Sequence, residues 1–248
     1  MSTETKWTLP TPDGKTIYGL KNTADKPTEA AVFMVHGLTG FMQEYAFKRA
    51  ADVLSAQGYD VYRFNLYDGW DNARSIMDCT LETHAKDLNT VIQAFGAEYK
   101  KTFAIGHSFG GPTIMIANPS GLTAASLWDP SIILDSLFDD VTPVDDQTYR
   151  LDWGVVYLVS KAMIDHANSL QENECRKLAE DFNAPVQVIH AAEGILIKKP
   201  LSYHNHGKSQ NLPHNRRDVV EGTTHCFYEG NTCEELLAKT HAFFQKFL

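Results

Sequence analysis

The chain has 248 residues, of which 43% are hydrophobic and 21% are charged, and its formal net charge is −9. This length suits one compact domain with an insertion, and this composition excludes a wholly disordered chain. The acidic balance argues against nucleic-acid binding as the main role, because such domains usually carry a basic face. The basic pairs at 198–199 and 216–217 are therefore interpreted as solvated surface.

No apolar run approaches the roughly 18 residues that a membrane helix needs, and the N-terminal residues lack the apolar core of a signal peptide. We therefore expect a cytoplasmic protein that is not stably inserted into a membrane. No zinc-site spacing is present among the cysteines, and a disulfide between Cys226 and Cys233 is the less favoured interpretation. We expect four reduced thiols, at Cys79, Cys175, Cys226 and Cys233. The sequence does not indicate an oligomeric state.

Strand-like apolar runs alternate with amphipathic helical stretches along the chain, which is typical of a largely parallel sheet covered on both faces. A hairpin is predicted at 8–18, with a turn at Asp13-Gly14. Further strands are predicted at 30–36, 60–66, 102–106, 124–128, 186–190 and 218–220. Helices are predicted at 44–57, within 80–99, at 109–118 and at 234–248.

The alternation breaks between Asp129 and Phe182, where no strand is predicted. Acidic loops and an apolar helix at 153–167 are expected there instead. We interpret residues 130–183 as a helical cap inserted within a single domain that spans 1–248, with an elongated crossover connection as the alternative. Its apolar residues either line a substrate pocket or pack the cap onto the core. These residues are Trp153, Val155, Val156, Tyr157, Val159 and Met163.

A Gly-His-Ser-Phe-Gly motif at 106–110 follows a predicted strand and opens a predicted helix. This is the context of a nucleophile elbow, in which a sharp and strained turn exposes the hydroxyl of the central serine. The helix N-terminus then places backbone N–H groups and a positive dipole end beside that hydroxyl. The motif therefore predicts Ser108 as a nucleophile.

A His-Gly-Leu-Thr-Gly segment at 36–40 comes at the end of another predicted strand. The tetrahedral intermediate of acyl transfer carries an oxyanion, and each pre-organised N–H group that points at it lowers the barrier by roughly 3 kcal/mol. We expect the N–H groups of Leu38 and Phe109 to form such an oxyanion hole. His36 is interpreted as a residue that fixes this loop, not as a catalytic group.

A serine hydroxyl needs a base, and chain position selects His225 from the ten histidines. His225 follows the last predicted strand, so it lies on the same sheet edge as Ser108. His84 and His241 are expected to be packing residues, and His107 occupies the variable position of the elbow. No metal is expected, because no carboxylate or cysteine completes a usual ligand set with three histidines of a loop at 198–215. These are His204, His206 and His214.

These segments, together with Gly-Thr-Thr-His at 222–225, resemble the α/β-hydrolase superfamily. The resemblance extends over essentially the whole chain and is nearest to the compact, lid-bearing branch of serine esterases and lipases. It implies an α/β-hydrolase fold with a mostly parallel eight-stranded sheet and helices on both faces. It also implies a catalytic triad at the C-terminal edge of the sheet and a cap after the sixth strand.

The acid of the triad departs from the usual pattern of that superfamily. In most relatives an Asp follows the seventh strand, but Gly194 holds that place here and Glu193 stands one residue earlier. The other candidate is Asp129, at the end of the sixth predicted strand and followed by Pro130. A subset of the superfamily, including pancreatic-type lipases, carries its acid there. We predict Asp129 as the acid because it needs no change of the loop, and Glu193 is the alternative.

The sequence thus predicts a serine hydrolase that cleaves carboxylic esters through an acyl-enzyme intermediate. Its expected partner is a small-molecule ester, and no cofactor is expected. Thioesters, lactones and other acyl substrates would use the same triad and form one alternative. A non-catalytic protein that binds a small ligand on this fold is the other alternative, because a fold does not imply a function.

Overall fold

The computed structural model describes residues 3–132, 141–152, 155–194 and 216–248. The strands are β1 (Thr3–Pro10), β2 (Thr16–Thr23), β3 (Ala30–Val35), β4 (Asp60–Phe64), β5 (Lys101–His107), β6 (Ala124–Trp128), β7 (Thr142–Pro143), β8 (Thr148–Asp152), β9 (Val156–Ser160), β10 (Val186–Ala191) and β11 (Arg216–Val220). The α-helices are α1 (Tyr45–Ala56), α2 (Leu81–Phe95), α3 (Gly110–Ala117), α4 (Lys161–Ser169), α5 (Glu172–Asp181) and α6 (Thr232–Phe244).

Eight of these strands form the main sheet, in the order β1-β2-β4-β3-β5-β6-β10-β11. All neighbouring pairs are parallel except β1–β2 and β2–β4, which are antiparallel. The mostly parallel eight-stranded sheet is therefore confirmed. The predicted hairpin is also present, and its strands extend further than expected because pairing continues from Pro10 and Thr16 out to Thr3 and Thr23.

The main sheet has a hydrophobic core on each face, as the alternation of side chains along β3 shows. Ala31, Phe33 and Val35 point into one core, and Ala30, Val32 and Met34 point into the other. Helices α2 and α3 cover the first core, whereas α1 and α6 cover the second. Helices on both faces are therefore confirmed. The ends of the strands lie at an edge of the sheet that these helices do not cover, and the loops there can carry functional side chains.

The insertion between β6 and β10 differs from its prediction, because it contains strands. β7, β8 and β9 form a small antiparallel sheet, and the helix predicted at 153–167 begins only at Lys161. Ser160 caps that helix, since its Oγ accepts a hydrogen bond from the N–H of Met163 at 3.1 Å. Residues 155–159 are mostly β-branched, and such residues favour a strand over a helix. The expectation of a purely helical cap is thus wrong.

The insertion is anchored to the core that α2 and α3 cover. Val159 and Met163 are fully buried in that core, whereas Val155 and Val156 are 60% and 50% exposed. Ser160 Oγ also donates a hydrogen bond to the carbonyl oxygen of Cys79 at 3.3 Å. The buried apolar residues of β9 and α4 therefore pack the insertion onto the domain, while the two exposed valines face solvent; Trp153 lies outside the described residues.

Two further expectations concern membrane-spanning helices and the state of the cysteines. In the described ranges, no helix combines the length and the hydrophobicity that a membrane crossing requires. All four cysteines are free thiols, and three of them are buried. The loop at 198–215, with its histidines and its lysine pair, lies outside the described residues.

Candidate active site

Ser108 occupies a sharp turn between β5 and α3. Its φ angle is 54°, in the left-handed region that non-glycine residues rarely adopt. Its N–H donates to the carbonyl oxygen of Trp128 at 3.0 Å, and its carbonyl oxygen accepts from the N–H groups of Gly111 and Ser131. These three hydrogen bonds hold the strained conformation that a nucleophile elbow requires.

The glycines on either side of Ser108 allow the start of α3 to approach both β5 and β3 closely. A Cβ atom at Gly106 would lie 2.5 Å from the carbonyl carbon of Gly110, and a Cβ at Gly110 would overlap the carbonyl oxygen of Val35. Both contacts are to backbone atoms, which cannot move aside as a flexible side chain could. The motif at 106–110 therefore reflects the crowding at this turn.

His36 fixes the loop that follows β3. Its Nε2 accepts the N–H of Leu66 at 3.0 Å, and its Nδ1–H donates to the carbonyl oxygen of Gly37 at 2.8 Å. The ring is fully buried, and burial lowers the pKa of His36 to about 4, so the imidazole is neutral at pH 7. This geometry fits the interpretation of His36 as the residue that holds the loop.

The peptide between Gly37 and Leu38 is fixed by the hydrogen bonds to its carbonyl oxygen, and this determines where the Leu38 N–H points. The carbonyl oxygen of Gly37 also accepts from the N–H of Gly40 at 3.1 Å and from the hydroxyl of Tyr67 at 3.3 Å. In a trans peptide the following N–H points the opposite way, and the Leu38 N–H donates to no described residue. A Cβ at Gly37 would be 3.3 Å from Ser108 Oγ, so this loop lies directly against the serine.

The second expected oxyanion donor, Phe109, directly follows Ser108 and precedes the first residue of α3. Its side chain is 1% exposed and packs in the core between the sheet and that helix. Phe109 therefore lies beside Ser108 at the N-terminus of α3, and Leu38 lies in the loop that His36 holds against Ser108.

His225 and Asp129 are joined by a short hydrogen bond. His225 Nδ1–H donates to Asp129 Oδ2 at 2.6 Å. A carboxylate can only accept, so Nδ1 carries a proton, and in the neutral imidazole Nε2 then has a lone pair that can take a proton. Asp129 is fully buried at the end of β6, with a φ angle of 39°, and its N–H donates to the carbonyl oxygen of Ile189 at 2.7 Å.

Glu193, the alternative acid, lies elsewhere. Its side chain is exposed and makes no hydrogen bond to His225, and its N–H donates to the carbonyl oxygen of Thr223 at 3.0 Å. Gly194 lies so near Asp129 that a Cβ there would be 3.0 Å from Asp129 Oδ2. The structure thus brings Asp129, and not Glu193, to His225.

The second oxygen of Asp129 is also occupied. Asp129 Oδ1 accepts from His190 Nδ1–H at 3.2 Å and from the N–H of Ala191 at 3.3 Å. Burial raises the pKa of the Asp129 carboxyl, but the hydrogen bonds from His190 and His225 outweigh it and bring the pKa to about 2. The carboxyl group is therefore ionised at neutral pH.

Comparison with known proteins agrees with this architecture. A family model described as the alpha/beta hydrolase fold matches residues 30–117. A solved structure of Est1E from Butyrivibrio proteoclasticus with ferulic acid bound is 16% identical, with a TM-score of 0.79, and the match covers 97% of this chain and 98% of that one. This chain has the α/β-hydrolase fold.

Two other solved structures are similar to this chain over nearly their full length. The esterase domain of a Rhodothermus marinus protein is 14% identical, with a TM-score of 0.77 and 99% of both chains covered. A dienelactone hydrolase from Anabaena variabilis is 12% identical, with a TM-score of 0.71, covering 100% of this chain and 99% of that one. No curated protein matches this chain.

Two residues next to the nucleophile make contacts that the sequence alone did not indicate. His107 Nε2–H donates to the carbonyl oxygen of His225 at 2.8 Å, and the two rings are 4.7 Å apart. Burial, together with a smaller effect of positive charge on His225, lowers the pKa of His107 to about 3. His107, at the variable position of the elbow in this α/β-hydrolase fold, is therefore a neutral donor that holds the backbone of His225.

Ser131 lies against the nucleophile itself. Its side chain is 1% exposed, and its Oγ is 2.9 Å from Ser108 Oγ. Among the described residues no hydrogen bond joins Ser108 Oγ to His225 Nε2, so that bond requires a movement of the serine or the imidazole. The position of Ser131, two residues after Asp129, could have indicated its contact with Ser108. Nothing near His190 in the sequence indicated its contact with Asp129.

The search for a metal site is limited to the residues that are described. Within those ranges, no group of three or more His, Cys, Asp or Glu side chains could hold a metal ion. The three histidines weighed as ligands, His204, His206 and His214, lie outside them.

Proposed function

We propose that this protein is a serine hydrolase that cleaves carboxylic esters through an acyl-enzyme intermediate. The observation that carries this proposal is the 2.6 Å hydrogen bond from His225 Nδ1–H to Asp129 Oδ2, because it leaves His225 Nε2 free to act as a base. Ser108 follows β5, Asp129 follows β6 and His225 follows β11, so all three residues stand at the carboxyl ends of parallel strands.

Acylation begins when Ser108 exchanges its hydrogen bond with Ser131 for one with His225. Ser108 Oγ attacks the acyl carbon of the ester while His225 Nε2 takes its proton, and Asp129 stabilises the imidazolium that forms. The N–H groups of Leu38 and Phe109 hold the oxyanion of the tetrahedral intermediate. The intermediate then breaks down, and His225 returns the proton to the departing alcohol.

Deacylation uses the same groups with water as the nucleophile. His225 Nε2 takes a proton from the water, whose oxygen attacks the acyl carbon of the Ser108 ester. The second tetrahedral intermediate releases the carboxylic acid, and the proton returns to Ser108 Oγ. Each step uses one base, one acid that remains ionised and one pair of N–H donors, so these residues suffice for the whole cycle.

The similar structures support the reaction class at a coarse level. They include an esterase domain, Est1E with ferulic acid bound and a dienelactone hydrolase, all of which share the fold at 12–16% identity. We therefore propose ester hydrolysis as the general reaction, and the substrate is to be found by experiment.

The test is covalent labelling with a fluorophosphonate probe, which reacts with activated serines. Wild-type protein should be labelled stoichiometrically and should hydrolyse p-nitrophenyl acetate, whereas Ser108→Ala should do neither. The matched control is Ser169→Ala, at an exposed serine whose Oγ donates to the carbonyl oxygen of His166. This control should keep full labelling and full activity.

Other results of the labelling experiment would contradict the proposed function. If wild-type protein is not labelled but binds a small ligand tightly, the protein is a non-catalytic binding protein on this fold. Labelling of Ser108→Ala would place the nucleophile elsewhere. A series of p-nitrophenyl esters of increasing acyl length, measured beside thioester and lactone analogues, then ranks kcat/KM, and a strong preference for thioesters or lactones would replace carboxylic esters as the substrate class.

A further inference from the structure

The carboxylate of Asp129 lies between two imidazoles, of which the proposed mechanism uses one. His225 binds Oδ2, and His190 Nδ1–H donates to Oδ1 at 3.2 Å. His190 is in β10, is 1% exposed, and meets a carboxylate that is fully buried. A buried histidine beside a buried carboxylate calls for an explanation, because apolar side chains are the usual occupants of a central strand.

Packing alone does not explain His190. Its Nε2 is buried and has no hydrogen-bond partner in the described part of the chain. Burying a polar nitrogen without a partner costs free energy that a valine or leucine at the same position would not cost. The contact that offsets this cost is the one that Nδ1 makes with Asp129.

Asp129 needs such an anchor because of its place in the chain. It stands in a turn after β6 with a φ angle of 39°, and the terminal torsion of an aspartate side chain has broad energy wells. His190 and the N–H of Ala191 hold Oδ1 from β10, the neighbouring strand. Two donors on Oδ1 leave Oδ2 pointing at His225.

We propose that His190 is a positioning residue, which holds the Asp129 carboxylate in the orientation that His225 requires. This inference rests on the proposed serine hydrolase function, since orientation of the acid matters only if His225 is the base. His190 does not touch the reacting atoms. It acts through Asp129, and its loss should therefore lower kcat much more than it changes KM.

The test compares two substitutions of similar size. His190→Leu removes the donor, whereas His190→Asn keeps an N–H group near the position of Nδ1. With p-nitrophenyl acetate, His190→Leu should lower kcat about 10- to 100-fold, the range for loss of a hydrogen bond to a charged group, with KM changed less than about twofold. His190→Asn should recover most of that loss.

A double-mutant cycle separates positioning from general damage. If His190 acts through Asp129, then adding His190→Leu to Asp129→Asn should lower the residual kcat less than about twofold. The matched control is His241→Leu on α6, another histidine that has a buried, unpartnered ring nitrogen but lies away from Asp129. It should leave kcat unchanged, and thermal denaturation should show that each variant is folded.

Several results would overturn the role of His190. These are a His190→Leu enzyme with kcat within twofold of wild type, an equal loss in the wild-type and Asp129→Asn backgrounds, and no recovery in His190→Asn. If His190→Leu does not fold, His190→Val, which suits a strand, replaces it in the cycle. Failure of wild-type protein to react with the fluorophosphonate probe would instead overturn the proposed function, so the two failures are distinguishable.

Discussion

Asp129 and His225 are 96 positions apart in the chain, and their side chains meet at 2.6 Å. Asp129 follows β6 and His225 follows β11, and β10 lies between those two strands in the sheet. The carboxylate therefore reaches across the end of β10 to the imidazole. This geometry accounts for Gly194 just after β10, because a larger residue there would crowd Asp129 Oδ2.

The first prediction concerns the identity of the acid. Asp129→Asn should lower kcat about 10³- to 10⁴-fold, because an amide favours the wrong tautomer of His225 and does not stabilise an imidazolium. Glu193→Gln is the matched control, since its side chain is exposed and makes no bond to His225, and its kcat should stay within twofold of wild type. A larger loss in Glu193→Gln than in Asp129→Asn would reverse the assignment.

The second prediction concerns the crowding at the elbow. Gly110→Ala should lower the free energy of unfolding by about 1–3 kcal/mol, because the added Cβ overlaps the carbonyl oxygen of Val35 in backbone that cannot yield. Gly69→Ala is the control, since no atom lies within 4 Å of a Cβ at that position. Urea denaturation of both variants measures the difference, and equal stabilities would refute the role given to this contact.

The third prediction concerns the resting state of the nucleophile. Ser108 Oγ is hydrogen-bonded to Ser131 Oγ and not to His225, and either hydroxyl can be the donor. We expect Ser108 to donate, in which case acylation breaks that bond. A net hydrogen bond contributes about 0.5–1.5 kcal/mol, and Ser131→Ala should therefore raise the second-order rate of fluorophosphonate labelling roughly two- to tenfold. Slower labelling of Ser131→Ala would mean that the Ser131 hydroxyl assists the nucleophile and does not compete for it.

The fourth prediction concerns acid stability. The pKa of Asp129 is about 2 in the folded protein, below its ordinary value of 3.8, so Asp129 contributes stability above pH 4 that is lost as the pH falls through 2. Over this window wild type should lose about 2 kcal/mol more stability than Asp129→Asn, whose residue 129 does not titrate. The measurement is the free energy of unfolding in urea at several pH values, and parallel curves for the two proteins would contradict it.

Much of the fold was predictable from local patterns. Apolar runs at 30–36 and 60–66 became β3 and β4, which are one or two residues shorter, and the glycine-flanked Ser108 stands between a strand and a helix as expected. The rule that parallel strands end at one edge of a sheet predicted that the loops after β3, β5 and β11 lie together, whereas the roles of Leu38, Phe109 and His225 stay predictions. These features of the fold were predictable because each depends on a short stretch of sequence or on chain order.

The rest depends on information that short patterns do not carry. An apolar run such as 155–159 suits a buried strand or a helix, and its β-branched residues favour the strand that the structure contains. The contact between His190 and Asp129 exists because β6 and β10 are neighbours in the sheet. Strand order is a long-range property, and nothing near His190 in sequence reports it.

The turn of Asp129, Pro130 and Ser131 joins the proposed acid to the residue that binds Ser108, and the insertion continues directly from it. Pro130 packs so tightly on α3 that a Cβ at Gly111 would lie 2.5 Å from its ring. Both hydroxyl and carboxylate are thus carried by one stiff tripeptide at the root of the insertion. Because Pro130 joins the two, a substitution that displaces its ring is expected to displace the Asp129 carboxylate and the Ser131 hydroxyl together.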